Sequence, residues 1–325
     1  MKTLILLLLT MVLCSSCTAL PAEERAFAVA LCVEKTDAWR VYGRIPTYQS
    51  DGGYMTVAGV GASLAEALSD MDAAAPMRIN LSQLRMLVLD AKLAVEHELS
   101  SVFQELFSCA DVRMQCAVAL TDAPVQRVAE ALVPAAGTRL SKALDLMVDA
   151  RVEQGVILSA RAADVLRAGG RQAPILIALS LEGEQVNLSG GYTMHGAYLQ
   201  PEEIALLALA RGDIQRLRLE LPCGYADVRD AAVSVNMSQD WTMARLELTA
   251  TVAAASCTSD ELKQALADEM LALLTRLSGL GCDALGLGRQ VVSHTHGLAD
   301  WHEQDWLQTY RGIRWEVAVG VVGPA

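Results

Sequence analysis

Apolar and polar residues alternate with period two through much of the last third of this chain. In "IQRLRLEL", Ile214, Leu217, Leu219 and Leu221 stand against arginines and Glu220. "VSVNM" alternates through Val233, Val235 and Met237, and "RLELTATV" sets Leu246, Leu248, Ala250 and Val252 opposite Arg245, Glu247, Thr249 and Thr251. Near the C-terminus Ile313, Trp315, Val317, Val319 and Val321 alternate with Arg314, Glu316 and smaller residues. Period two describes strands with one covered face and one wetter face, which points to antiparallel pairing rather than a doubly wound sheet. Between these strands Leu262, Leu266, Met270, Leu274 and Leu277 recur every three or four residues, the spacing of one helix face. Thr258 and Glu261 ahead of them form a T-x-x-E capping box. This helix, over 259–279, is the obvious cover for the sheet.

Upstream, "RAFAVALCVEKTDAWRVYGRIP" predicts a hairpin around Lys35-Thr36-Asp37, and "GYMTVAGV" a third strand after a turn at Ser50-Asp51-Gly52-Gly53. A helix capped by Ser63, with Glu66 three residues on, runs to about Ala74. "LRMLVLD" is a strand by its length, and "APILIALSL" is at most a buried strand. Helical stretches follow at roughly 91–107 and 123–132, and a weakly punctuated helical span from Ala135 to Arg171 ends at Gly169-Gly170. Pro201 opens a further helix, with Glu202 and Glu203 complementing its dipole and Gly212 after its end. The fold class is therefore α+β: mixed or antiparallel sheets covered by helices in two to three domains, the last an antiparallel sheet packed on a long helix. A length of 325 residues leaves room for two or three cores.

The N-terminus follows another pattern, "MKTLILLLLTMVLCSSC". Lys2 and the apolar Leu4–Leu13 run have signal-peptide form, and about ten residues are too few for a bilayer span of ~20. Ser15-Ser16-Cys17 reads as a lipobox with Cys17 as the lipidated residue, although Cys14 stands where Leu is usual. Cleavage after Ser16 or Ala19 with release of the body is the alternative. No other run reaches 18 apolar residues.

Charge and composition exclude several functions. A formal net charge of −12 argues against nucleic acid, which selects a basic stripe, and keeps the body off anionic lipid unless an anchor holds it there. Six cysteines remain beyond Cys14 and Cys17; in an exported chain they permit disulfides, but their spacing specifies none and buried thiols fit equally well. His294, His296 and His302 lack a completing carboxylate or thiol, so no metal is expected. No catalytic signature stands out, no cofactor is expected, and the chain does not read as an enzyme.

Two glycine clusters imitate nucleotide loops. In "GLGCDALGLGRQ" (279–290), Gly281 and Gly286 have P-loop separation, but Leu287 and Gly288 stand where Lys and Ser or Thr are needed, and the stretch closes a helix instead of opening one. In Gly59-Val60-Gly61-Ala62-Ser63-Leu64, Leu64 occupies the place where a dinucleotide fingerprint requires a small residue.

With these residues in view, the chain resembles the Ger(x)C family of spore germination lipoproteins, the C subunits of nutrient germinant receptors. The match is strongest over "LLTRLSGLGCDALGLGRQVVSHTHGLADWHEQDW…GIRWEVAVGVVGPA", which resembles the family's helix, its D-x-x-G-x-G junction, a Trp-containing segment and a closing strand. Asp283, Gly286, Gly288, Trp301 and Trp306 carry that pattern. "GGYTMHGAYLQPEEIALLALARGDI", "GASLAEALSDM…NLSQLRMLVLDAKLA" and "VFQELFSCADVRMQCAVALTDAPVQRVAEAL" extend the resemblance over nearly the whole mature chain. It implies a signal peptide over 1–16, an N-terminal germination-protein region over 17–187, divisible into two sub-domains, and a C-terminal germination-protein domain over 188–325. It also implies integral-membrane A and B subunits as partners and lipid attachment to the outer face of the cell membrane or spore inner membrane. In this reading Asp283, Gly286 and Gly288 form a structural junction that turns the chain from the core helix into the next strand, with Leu285 and Leu287 plugging the core. The alternative is an extracytoplasmic lipoprotein solute-binding module, for which three Phe, seven Tyr and five Trp supply few stacking groups. The germinant, and whether this chain touches it, are not written in the residues.

Overall fold

A computed structural model describes residues 25–47, 53–96, 99–133, 138–167, 173–213, 216–294 and 305–323. Cys17 and the signal segment, Trp301, His296, His302 and the side chain of His294 lie outside the described residues. In chain order the first elements are β1 (Arg25–Phe27), β2 (Ala30–Lys35), β3 (Trp39–Pro46), β4 (Tyr54–Gly61), α1 (Leu64–Ala74), β5 (Arg78–Asn80) and β6 (Met86–Asp90). Then come α2 (Lys92–Glu96), α3 (Leu99–Cys109), β7 (Ala117–Thr121), α4 (Val125–Ala131), α5 (Leu140–Glu153) and α6 (Ala162–Arg167). They are followed by β8 (Leu176–Glu182), β9 (Gln185–Tyr192), β10 (Tyr198–Leu199) and α7 (Pro201–Arg211). The remainder is β11 (Leu217–Leu221), β12 (Gly224–Met237), β13 (Met243–Ala255), α8 (Ser259–Gly279), α9 (Gly288–His294), α10 (Trp306–Arg311) and β14 (Arg314–Val322).

An eight-stranded mixed sheet in the order β10-β9-β8-β7-β6-β2-β3-β4 organises the first part of the molecule. Its centre, β2-β6-β7-β8, is parallel, because helices carry the chain over the sheet between β6, β7 and β8. Those central strands are uniformly apolar: Met86–Leu89, Ala117–Leu120 and Leu176–Leu179 are all buried, as strands covered on both faces must be. The flanks are antiparallel. β2 and β3 form the hairpin predicted around residues 35–37, paired from Ala30↔Arg44 to Lys35↔Trp39, and β4 adds to β3 from Trp39↔Gly61 to Pro46↔Tyr54. Ser63 caps α1 by accepting from the Glu66 N–H. A small parallel pair, β1 with β5, stands outside this sheet; three-residue strands leave no periodic signal, and the sequence pattern does not reveal them.

The glycines of the dinucleotide look-alike have a packing role. A Cβ on Gly59 would meet the Ala67 carbonyl oxygen at 2.2 Å, and one on Gly61 the Ala67 nitrogen at 2.4 Å. β4 therefore carries α1 directly on its backbone, and Leu64, the residue that breaks the fingerprint, is fully buried beneath.

The second core is built on a four-stranded sheet, β11-β12-β13-β14. The first two pairings are antiparallel hairpins. β14 instead lies parallel to β13, from Met243↔Arg314 to Thr251↔Val322. That differs from the antiparallel sheet the alternation suggested: α8 and the segment after it return the chain to the starting edge, and such a crossover makes the last pair parallel. Alternation by itself does not encode strand direction. The inner face holds Leu246, Leu248, Ala250 and Val252 as expected, and Leu262, Leu266, Met270, Leu273, Leu274 and Leu277 of α8 are buried with them.

α7 is buried from Ile204 to Ala210 on every side. It packs on β9 of the large sheet as well as on β11, β12 and α8. Arg276 of α8 pairs with Glu203 of α7 and donates to the Tyr198 carbonyl at 2.8 Å. The 187/188 division expected between the two regions falls inside β9, whose Leu188 and Tyr192 belong to the first core. The chain joins the second core at Leu199, while Leu158 and Ile175 reach that core from earlier in the sequence.

Candidate functional site

The segment between α8 and α9 is where the family-like residues collect. α8 starts in the predicted capping box, with the Glu261 N–H and carboxylate reciprocating with Thr258. At its other end the Gly281 N–H donates to the Ser278 carbonyl at 2.8 Å and the Cys282 N–H to the Leu277 carbonyl at 2.9 Å. Gly281 sits at φ +66° with Arg311 against the place a Cβ would occupy, and Gly286 sits at φ +74°. Left-handed backbone at these two points is what glycine supplies.

Between the two glycines Asp283 is fully buried. Its carboxylate accepts from the Leu287 N–H at 2.9 Å, the Gly288 N–H at 2.7 Å and the Trp306 indole N–H at 3.0 Å. Burial pushes the Asp283 carboxyl above its usual range, and the Gly288, Leu287 and Trp306 donors pull the other way. Its own carbonyl accepts from the Ala173 N–H at 3.1 Å, tying the segment just before β8 to the junction.

This geometry settles the resemblance to a phosphate loop. Contrary to the expectation that the stretch only closes a helix, it closes α8 and opens the short α9 at Gly288. The chain thus passes into a helix, not directly into a strand as the resemblance implied. The reason is local: the Leu287 and Gly288 N–H groups, which a phosphate loop would offer to its ligand, donate to the chain's own aspartate. The arrangement organises polar backbone, and the Asp283 side chain already occupies its donors.

Asp283, Gly286 and Gly288 are brought together with Trp306, and Leu287 is fully buried beside them. Leu285, expected as a second plug, is half-buried and packs against the margin of the second core instead of within it. Two features had no sequence signal. One is the aspartate–indole bond across 23 residues, and the other is the Trp315 indole N–H donating to Ser278 Oγ at 2.6 Å. Trp306 also stacks obliquely on Tyr310, with ring centres 5.8 Å apart. Such long-range pairings follow from the packing of α10 and β14 on α8, which no local spacing specifies. Among the described residues no group of His, Cys, Asp and Glu is arranged to hold a metal, and no helix is long and apolar enough to cross a membrane.

Comparison with known proteins adds the family. Residues 20–179 match the model of the spore germination protein N-terminal domain. No curated protein matches. Among solved structures, the crystal structure of the GerBC protein is similar over 91% of this chain and 97% of that chain, with a TM-score of 0.57 at 10% identity. At that identity the likeness is one of fold, and the fold it supports is the α+β architecture described above. The matched N-terminal domain takes in β1 to β7, helices α1 to α6 and the start of β8, and with the GerBC-like fold the chain belongs to the Ger(x)C family of spore germination proteins.

Proposed function

We propose that this protein is the C subunit of a spore germinant receptor, held by lipid on Cys17 at the outer face of the membrane and acting through contacts with two integral-membrane subunits. The observation that carries this reading is the spore germination N-terminal domain over residues 20–179; the GerBC-like fold over 91% of the chain supports it. The lipobox-like Ser15-Ser16-Cys17 and the net charge of −12 agree with it, since an acidic body gains no purchase on anionic lipid by itself. Two or three acyl chains at ~0.8 kcal/mol per buried CH₂ outweigh any peripheral contact such a surface offers. The function is then one of binding and signalling, with the buried Asp283 junction as a structural support.

The test is fractionation and intact mass of the wild type and of Cys17→Ala, together with copurification of the two membrane subunits. The reading expects a diacylglyceryl-modified wild type that carries both subunits through affinity purification. It expects a Cys17→Ala form that is soluble or retains its leader, and loss of nutrient-triggered germination in that strain. An unlipidated wild type starting at Thr18 or beyond overturns the tether, and a lipidated protein that copurifies with neither subunit overturns the receptor assignment.

A further inference from the structure

The six cysteines beyond the N-terminal segment fall into three environments. Cys32, Cys116 and Cys282 are buried, and burial pushes each thiol up to about 12, where it is inert. Cys109 is exposed, with its sulfur turned towards the Leu106 carbonyl of its own helix. Cys223 and Cys257 are different. They are half-buried, and their sulfurs approach to 2.7 Å.

The backbone brings them together. Cys223 lies in the turn of the β11–β12 hairpin, between Leu221 and Gly224. Cys257 lies between Ala255, the last residue of β13, and Thr258, the N-cap of α8. β12 and β13 stay paired as far as Ala226↔Ala255, with register shifts between Asp227 and Asp230. Past that point the Ser256 N–H donates to the Tyr225 carbonyl at 3.0 Å and the Tyr225 N–H to Ser256 Oγ at 2.8 Å. Gly224, at φ +131°, lets the turn close on Ser256, whose Oγ is 2.0 Å from where a Cβ would stand. The backbone beside both cysteines is therefore held before the sulfurs are considered, and the side chains need not search for one another.

We propose that Cys223 and Cys257 form a disulfide that staples the β11–β12 turn to the start of α8. The oxidant is a low-molecular-weight disulfide or a protein disulfide of the same chemistry. One cysteine thiolate attacks a sulfur of that disulfide, its S–S bond breaks, and a thiolate leaves. The other cysteine thiolate attacks the cysteine sulfur of the mixed disulfide and expels the second thiolate. Two cysteine thiols are oxidised and one external disulfide is reduced to two thiols, the two leaving thiolates taking up the two protons that the cysteines give up. The link closes the β12–β13 hairpin across 34 residues and anchors the turn that capped α8 grows from. Cross-linking such a span restricts the unfolded chain, and strain is small where the native backbone is already placed.

The experiment uses the full chain, purified reduced and then incubated with oxidised glutathione. Remaining thiols are capped with N-ethylmaleimide and the protein is mapped without reduction. The proposal expects the Cys223 and Cys257 peptides to be joined, and a melting point that falls on the order of 10 °C when reductant is added. A Cys223→Ser, Cys257→Ser double variant should melt at one temperature with or without reductant. Glutathione or maleimide on both cysteines after oxidation, or a link from either to Cys109, overturns the pairing. A joined protein whose melting point ignores reductant overturns the stapling role.

Discussion

Asp283 shows how one buried polar residue can define a turn. Its carboxylate satisfies three N–H groups that would otherwise be buried without partners. Asp283→Ala should therefore cost about 3 kcal/mol or more, since each stranded donor costs roughly 1–3 kcal/mol, and Trp306 fluorescence should report the loosened indole below the main unfolding transition. Leu287 and Leu285 offer a paired control. Leu287 is 1% exposed, so Leu287→Asp should lose several kcal/mol by burying an unpaired carboxylate. Leu285→Asp should lose less, because its side chain reaches solvent. Equal melting points for the two variants would contradict the packing described. The leucines and glycines of this segment are legible in the sequence as apolar and turn-forming. Which of the two leucines faces inward depends on the left-handed Gly286, and that is settled by the turn as a whole.

At the scale of elements, local signals worked best where one side chain caps one helix. Thr258 and Glu261 form the reciprocal box predicted from T-x-x-E, so Thr258→Ala should cost about 1 kcal/mol. Hydrogen bonds from the Thr258 N–H and hydroxyl hold the Glu261 carboxyl below its usual range. A depressed folded value means that this contribution is present above the ordinary carboxylate pKa and is lost as pH falls through the folded one. The protection factors of amides in the first turn of α8, corrected for the intrinsic pH dependence of exchange, should accordingly fall on acidification through the carboxylate range, and Glu261→Gln should flatten that response. Gly59 offers a second test. Gly59→Ala places a methyl 2.2 Å from the Ala67 carbonyl, so α1 must lift from β4, and overpacking of this kind costs ~1–3 kcal/mol. The sequence marks Gly59 only as part of a turn into the next helix, because how closely α1 folds back onto β4 is set by packing and not by local spacing.

For the whole molecule, two hydrophobic cores share one chain without dividing at a single point. β9 and then β10 complete the large sheet, and Leu188 is fully buried in the first core. A fragment spanning 25–200 should therefore stay soluble and retain its strand signal by circular dichroism, whereas one spanning 25–187 exposes the edge of β8 and should aggregate in size-exclusion chromatography. Comparable behaviour of the two fragments would place the boundary where the sequence suggested it. α7, buried on all sides, contacts both cores, so its apolar character reflects position between two packing surfaces and not a single amphipathic face.

Periodicity, caps and turn residues by themselves determined that this protein is α+β, that the 259–279 helix covers the last sheet, and that its glycine loops lack the groups a nucleotide needs. These are local properties, set by spacings of two to four residues and by the chemistry of single side chains. Only the tertiary structure decided that the core of the large sheet is parallel and that β14 reverses the expected direction beside β13. It also decided that Asp283 fills the cradle its neighbours open, and that Cys223 meets Cys257. Each of these joins residues far apart in the chain, and such pairings follow from how helices carry strands across a sheet, which no short window of sequence contains.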